Sequence, residues 1–229
     1  DASHGKKTDD AVAHNKRGAA YYESGKYQEA IKSYKQALRI DPDHAEAHNN
    51  LGIAYGKSGK YKEGIESYKQ AIKIDPDYAK AHNNLGCAYF ESGKYQEAIK
   101  SYKQAIRIDP DLALAHNGLG AAYGELGKHE EEIKSYKQAI RIDPDYAEVH
   151  TNLGVAYDEL GKHEEAIESY KQALRIDPDY ALAHNMLGYA YRKRGIYRVL
   201  EEEWGFDGHS RINHDYNLKT VGGDKVVVD

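Results

Sequence analysis

Cysteine, methionine and tryptophan occur once each in this chain of 229 residues, and phenylalanine only twice. The lone cysteine, Cys87, excludes an intramolecular disulfide and any zinc site built on several thiolates. It fits a reducing compartment, so a cytoplasmic setting is expected. No apolar run approaches the roughly 18 to 20 residues that a membrane helix needs, so no membrane span is expected. Positive charge is in deficit as well: 32 Lys and Arg stand against 37 Asp and Glu, for a net charge of -5. That balance argues against a nucleic-acid partner. The chain opens at Asp1 without a charged-then-apolar leader, which leaves a removed signal and no signal both open.

What the chain does have is a period. The stretch Ala45 to Tyr78 recurs every 34 residues, with copies at 11–44, 45–78, 79–112, 113–146 and 147–180 and a partial sixth at 181–204. A unit of that length cannot bury a core alone, so the copies must stack. Within one copy Leu51 and Tyr55 lie four apart, and Ile65, Tyr68, Ala71 and Ile72 continue at helical spacing, which predicts two helices. Between them stands a glycine in every copy (Gly25, Gly59, Gly93, Gly127, Gly161, Gly195), as a left-handed helix terminator requires. Ile-Asp-Pro-Asp halts the second helix, first at Asp41-Pro42-Asp43. Asp43 with Glu46, and Asp145 with Glu148, have the spacing of a capping box for the helix that follows.

These residues resemble the tetratricopeptide repeat. The match rests on Leu51-Gly52, Tyr55, the small residue at Gly64 (Ala30, Ala98 and Ala166 elsewhere), Tyr68, Ala71 and Pro76, with His48 where the repeat usually has Trp. The resemblance implies an all-α fold: a right-handed superhelical solenoid whose first helices line a concave groove. It implies no chemistry, and the expected role is a non-enzymatic scaffold for protein–protein interaction.

The groove face should carry the function. Helical spacing from Leu51, Gly52 and Tyr55 places residues 46, 49, 50, 53, 56 and 57 on the opposite face. That face is rich in asparagine, a mediocre helix former, at Asn49, Asn50, Asn83, Asn84, Asn117, Asn152 and Asn185. An amide side chain both donates and accepts, so it can pair with the backbone of an extended or short helical peptide of any sequence. Those at the sixth position, Asn50, Asn84 and Asn152, look like the asparagine ladder by which some tetratricopeptide proteins hold a peptide, although consensus asparagines satisfied by neighbouring helices would read the same. The dicarboxylate clamp of other family members is missing, because the position that needs Asn or Arg holds Ala19, Ile53, Cys87, Ala121, Val155 and Tyr189. Tyr22 and Phe90 stand at the rim, beside a mostly acidic row of Glu23, Glu91, Glu125 and Glu159 against Lys57 and Lys193. A protein or peptide partner with basic residues flanking small apolar ones suits such a face. An alternative role is a self-assembly module, a homo-oligomer stacking through its terminal repeats.

No cofactor, metal site or catalytic constellation is expected. His14, His48, His82, His116, His150 and His184 recur at the repeat period, too far apart on successive helix pairs to converge on one ion, so they serve packing. His129-Glu130-Glu131-Glu132 lacks the second histidine of a zinc protease. Basic pairs such as Lys35 and Arg39 near the ends of the second helices, with Glu29 and its equivalents near the starts, read as a solvated face matched to the helix dipole.

Three regions depart from the pattern. Repeat four has Gly118, Gly124 and, at the small buried position, Glu132, so the weakest stacking is expected there. In the sixth copy Tyr197, Leu200 and Trp204 share one helical face, which would cap the array until Gly205. Residues 1–10 read as a loose polar leader, and 205–229 as a non-repeat tail, either flexible, docked or the edge of something larger.

Overall fold

The computed structural model describes residues 2–194 together with 218–221 and 224–227. Each of the five full repeats is a pair of helices, as the period predicts. The first helices are α1 (Ala2–Glu23), α3 (Ala45–Lys57), α5 (Ala79–Glu91), α7 (Ala113–Gly124), α9 (Ala147–Glu159) and α11 (Ala181–Arg194). The second helices are α2 (Tyr27–Ile40), α4 (Tyr61–Ile74), α6 (Tyr95–Ile108), α8 (His129–Ile142) and α10 (His163–Ile176). By its contacts the chain divides into two compact units, Asp1–Ala122 and Tyr123–Asp229, with the boundary inside α7. In the first unit, α1 packs on α2, α3 on α4 and α5 on α6, and successive first helices adjoin. In the second, α8 packs on α9, α9 on α10 and α10 on α11.

The core of each pair is a ring against a bare backbone. Tyr34, Tyr68, Tyr102 and Tyr170 of the second helices are buried, and each lies where a Cβ on Gly18, Gly52, Gly86 or Gly154 of the first helix would fall, 2.4 to 2.7 Å away. The Leu-Gly of the first helix therefore works as a slot for the tyrosine. Between neighbouring pairs, alanines and isoleucines of one second helix meet the leucine and tyrosine of the next first helix, as in the cluster of Ala30, Ile31, Tyr34, Leu51, Ala54 and Tyr55. Burial pushes the Tyr34 hydroxyl up to about 12 and raises the others further, so these rings stay neutral and apolar in character.

The turns follow the same economy. Gly25, Gly59, Gly93, Gly127 and Gly161 all sit at φ between 67° and 74°, a left-handed conformation in which other residues are strained. The expected capping boxes do not form. Helices α3 and α9 start one residue later, with His44 and Tyr146 as N-caps. At α3 the His44 Nδ1 accepts from the Ala47 N–H at 3.4 Å, and the aspartate before each proline holds the turn: Asp41 Oδ1 accepts from the Asp43 N–H at 3.2 Å, and Asp75, Asp109, Asp143 and Asp177 repeat the bond. That local turn uses the donor around which a box would have been built.

The recurrent histidines have a specific task. The Nε2 of His48, His82, His116, His150 and His184 lies 2.8 to 3.0 Å from the carbonyl oxygen of the proline six residues earlier. An acceptor there requires Nε2–H to donate, which fixes the tautomer and ties each first helix to the turn before it.

The N-terminal segment differs from expectation. Residues 2–10 are helical and extend α1 rather than forming a loose leader. Leu218–Val221 and Asp224–Val227 form an antiparallel pair, with Leu218 opposite Val227 and Val221 opposite Asp224. The expected cap of Tyr197, Leu200 and Trp204, and the turn glycine Gly195, lie outside the described residues.

Candidate functional site

Helices α1, α3 and α5 adjoin in the first unit, and their shared face is the candidate groove. The asparagines divide into two classes on it. Those at the fifth position of the repeat are inside: Asn15 is 5%, Asn49 4% and Asn83 8% exposed. Those at the sixth, Asn50 and Asn84, are half-buried and reach back to the preceding repeat. Asn50 Nδ2 donates to Asn15 Oδ1 at 3.2 Å, and Asn84 Nδ2 donates to Asn49 Oδ1 at 2.9 Å. The amides thus form a ladder that joins repeat to repeat before any ligand is considered. Asn49 belongs to this internal ladder and Asn83 is buried in the equivalent place, so neither is open to a partner.

Repeat four breaks the ladder. Gly118 stands at its sixth position, where the amide that would serve Asn83 is missing, and Asn83 Oδ1 is buried without a hydrogen-bond partner. Space explains the glycine: a Cβ at residue 118 would lie 2.5 Å from Cζ of Tyr102. Asn117 and Asn152 are half-buried and each has an interaction of its own, and Asn185 is exposed on α11.

The rim varies by a rule that a single repeat does not show. Tyr22 packs on Tyr27 and Phe90 on Tyr95, with ring centroids 5.4 Å apart in both cases. In repeat five the same two positions are Asp158 and His163, joined by a 2.8 Å contact between Oδ1 and Nδ1, and Tyr170 Oη donates to Asp158 Oδ2. In repeat four they are Gly124 and His129, and the space above the glycine is filled by Glu132, whose Oε1 lies 2.6 Å from where a Cβ would be. In repeat two they are Gly56 and Tyr61, and among the described residues nothing fills the gap. A Cβ on Gly56 would meet no atom within 4 Å, and Tyr61 is left 50% exposed.

That gap is a cavity of about 460 Å³ between α3 and α5, floored by Gly64 and Tyr68 and flanked by Asn84 and Cys87. Lys57 and Glu91, both exposed, stand at its mouth. Asn84 lines the cavity, so its carbonyl and second N–H remain for a ligand after the ladder bond is made. Cys87 opens onto the groove, yet the protein around it excludes enough water to push its thiol pKa up, so it is held as the neutral thiol. The sequence carries this signal in the pairing of Gly56 with Gly64, where repeat three has Phe90 and Ala98.

The acidic rim is also partly internal. Glu91, Glu125 and Glu159 are exposed, as a partner-facing row requires. Glu159 Oε2, however, is 3.5 Å from His129 Nδ1, which is itself 3.0 Å from Glu132 Oε2. These three residues bring one ligand atom each within 4.8 Å of one another, the arrangement among the described residues that could hold a metal ion. Burial pushes the Glu132 carboxyl above its usual range, and the His129 hydrogen bond opposes that shift. A carboxyl raised in the folded state weakens folding as pH climbs past its unfolded value, about 4.3, and costs nothing below it, where both states hold the proton. Glu132→Gln should therefore raise the melting temperature at pH 7 and leave it unchanged near pH 3.5. Thermal melts at the two pH values check this, and an equal gain at both would put the effect elsewhere.

The basic stripe of the second helices is more than a solvated face. Lys35 Nζ lies 5.6 Å from the Tyr55 ring centroid, Lys137 5.6 Å from Tyr157 and Lys171 5.8 Å from Tyr191. Each ammonium covers the tyrosine of the following repeat, a contact worth about 0.5 to 1 kcal/mol at an exposed site.

A family model described as the cilia and flagella-associated protein 70 C-terminal domain, a tetratricopeptide-repeat model, matches residues 2–200. The chain belongs to the tetratricopeptide repeat family. Its architecture, a solenoid of helical hairpins, is that of a protein-interaction scaffold. Among solved structures it is similar to MamA, at 32% identity over 72% of this chain and 96% of that one, with a TM-score of 0.64. It shares its fold with YrrB, a tetratricopeptide protein described as having an unusual peptide-binding site, at 22% identity over 77% and 91% of the two chains and a TM-score of 0.62. The same fold extends to pilF of Pseudomonas aeruginosa, at 18% identity over 89% and 94% of the chains and a TM-score of 0.75. No curated protein sequence matches it. Among the described residues no helix is long and apolar enough to cross a membrane.

Proposed function

We propose that this tetratricopeptide array is a non-enzymatic scaffold that holds an extended peptide segment of a partner protein against its first helices. The observation that carries the reading is the face of α3 and α5, where Asn84 retains free hydrogen-bonding atoms at the edge of an open cavity. Backbone contacts of this kind are worth about 0.5 to 1.5 kcal/mol net each, so a few of them with modest apolar burial give affinity near the micromolar range. Selectivity comes from charge. Glu23 and Glu91 at the ends of α1 and α5 favour a partner with basic residues, and Lys57 between them favours one acid. The peptide-binding description of YrrB, a fold neighbour, agrees with this reading.

The asparagines also hold repeat to repeat, so rim charges give the cleaner test. A peptide array probed with the full chain should yield segments enriched in Lys or Arg, and Glu23→Lys combined with Glu91→Lys should weaken them about tenfold, the effect of 1.4 kcal/mol, with helicity unchanged. Segments bound equally by both chains would move the binding surface off this face.

A further inference from the structure

We propose that the cavity between α3 and α5 is an aromatic subsite: it takes one aromatic side chain of the bound segment, which completes the ring pair that Gly56 leaves unmade. The inference rests on the groove-binding reading and names what the groove selects.

The repeats themselves supply the template. In repeats one and three a rim aromatic, Tyr22 or Phe90, packs on the tyrosine five residues later with centroids 5.4 Å apart. In repeat two Tyr61 is in place but its partner is Gly56, whose missing side chain meets nothing within 4 Å. Gly64 lines the same space without the methyl that Ala30 and Ala98 carry, and a Cβ there would lie 3.1 Å from the Gly52 carbonyl oxygen. The outcome is a half-exposed tyrosine beside about 460 Å³ of unfilled volume, within the range of small-molecule sites. An exposed ring over a recess is an unmet edge-to-face or offset contact, and an aromatic group from outside satisfies it as Phe90 does for Tyr95. Aliphatic side chains fill volume without that ring contact, so the site ranks Phe, Tyr and Trp above Leu.

Charge fixes the neighbours of the ring. Lys57 and Glu91 stand on opposite helices at the mouth, so a segment laid across it pairs an acid on the α3 side and a base on the α5 side. Asn84, at the wall, meets the backbone beside the ring.

Gly56→Phe supplies the ring from within the chain and so is the decisive variant. It occupies open space, reproduces the Phe90–Tyr95 pair, and should fold with an equal or higher melting temperature. A displayed library of random peptides is selected on the full native chain, and the winners are measured on native and Gly56→Phe chains. Cys87, the one cysteine, reports occupancy of the cavity through its rate of alkylation by iodoacetamide. The subsite predicts winners with an aromatic residue at one fixed position, at least tenfold weaker binding to Gly56→Phe, and slower Cys87 alkylation when bound. It also predicts that N-acetyltryptophanamide at millimolar concentration slows alkylation. Peptides that protect Cys87 but have no fixed aromatic, or bind Gly56→Phe equally well, overturn the subsite and leave the groove reading standing. Peptides that bind without protecting Cys87, or no peptides together with no effect of N-acetyltryptophanamide, overturn both.

Discussion

Gly154→Ala should destabilise the chain by about 2 kcal/mol, while Gly56→Ala should stabilise it by about 0.5 to 1 kcal/mol, although both exchange a glycine for the best helix former on a first helix. At residue 154 the added methyl would lie 2.4 Å from Cε1 and 2.7 Å from Cδ1 of Tyr170. That ring is fully buried, and its hydroxyl is tied to Asp158 Oδ2, so moving away breaks a hydrogen bond and opens a void. Overpacking of this kind costs about 1 to 3 kcal/mol, which exceeds the propensity gain. At residue 56 nothing stands within 4 Å, and only the propensity gain remains. Urea melts of the two variants decide it. Shifts of the same sign would mean that the tyrosine slot does not hold the helix pairs together.

A second large effect is expected at the amide ladder. Asn84→Ala removes the donor to Asn49 Oδ1 and leaves that oxygen at a side chain only 4% exposed, a loss of about 1 to 3 kcal/mol. Asn83→Ala removes an oxygen that has no partner, so its cost should be smaller by at least about 1 kcal/mol, the net worth of one hydrogen bond. The pair sits one residue apart on the same helix, so helix propensity cancels in the comparison. Equal losses in chemical melts would show that the ladder bond contributes nothing to the stack.

Much of this architecture is legible from the period alone. The turn glycines, the helix pairs and the core tyrosines follow from local rules of spacing and conformation that the five full copies satisfy alike. The asparagine face is less legible, because helical spacing sets the angle of residue 49 on its own helix but not how closely the preceding first helix approaches it. Only that approach buries Asn49 and gives Asn84 its partner. Glu132 shows the same limit: alone it is a carboxylate at a tight contact, and beside Gly124 it is a side chain fitted to a vacated space. The pair of strands has a sequence signal, two glycines between β-branched stretches at Thr220-Val221 and Val226-Val227, which the reading of 205–229 as a non-repeat tail does not use.

Amide hydrogen exchange with a selected peptide tests the central claim most directly, because it reports which helices the ligand covers. The account predicts added protection in α3 and α5, at Gly52 to Lys57 and Asn84 to Glu91, with α4 and α6 slowed only to the extent that the fold as a whole is stabilised. Protection concentrated on α4 and α6, with α3 and α5 exchanging as they do in the free chain, would contradict it.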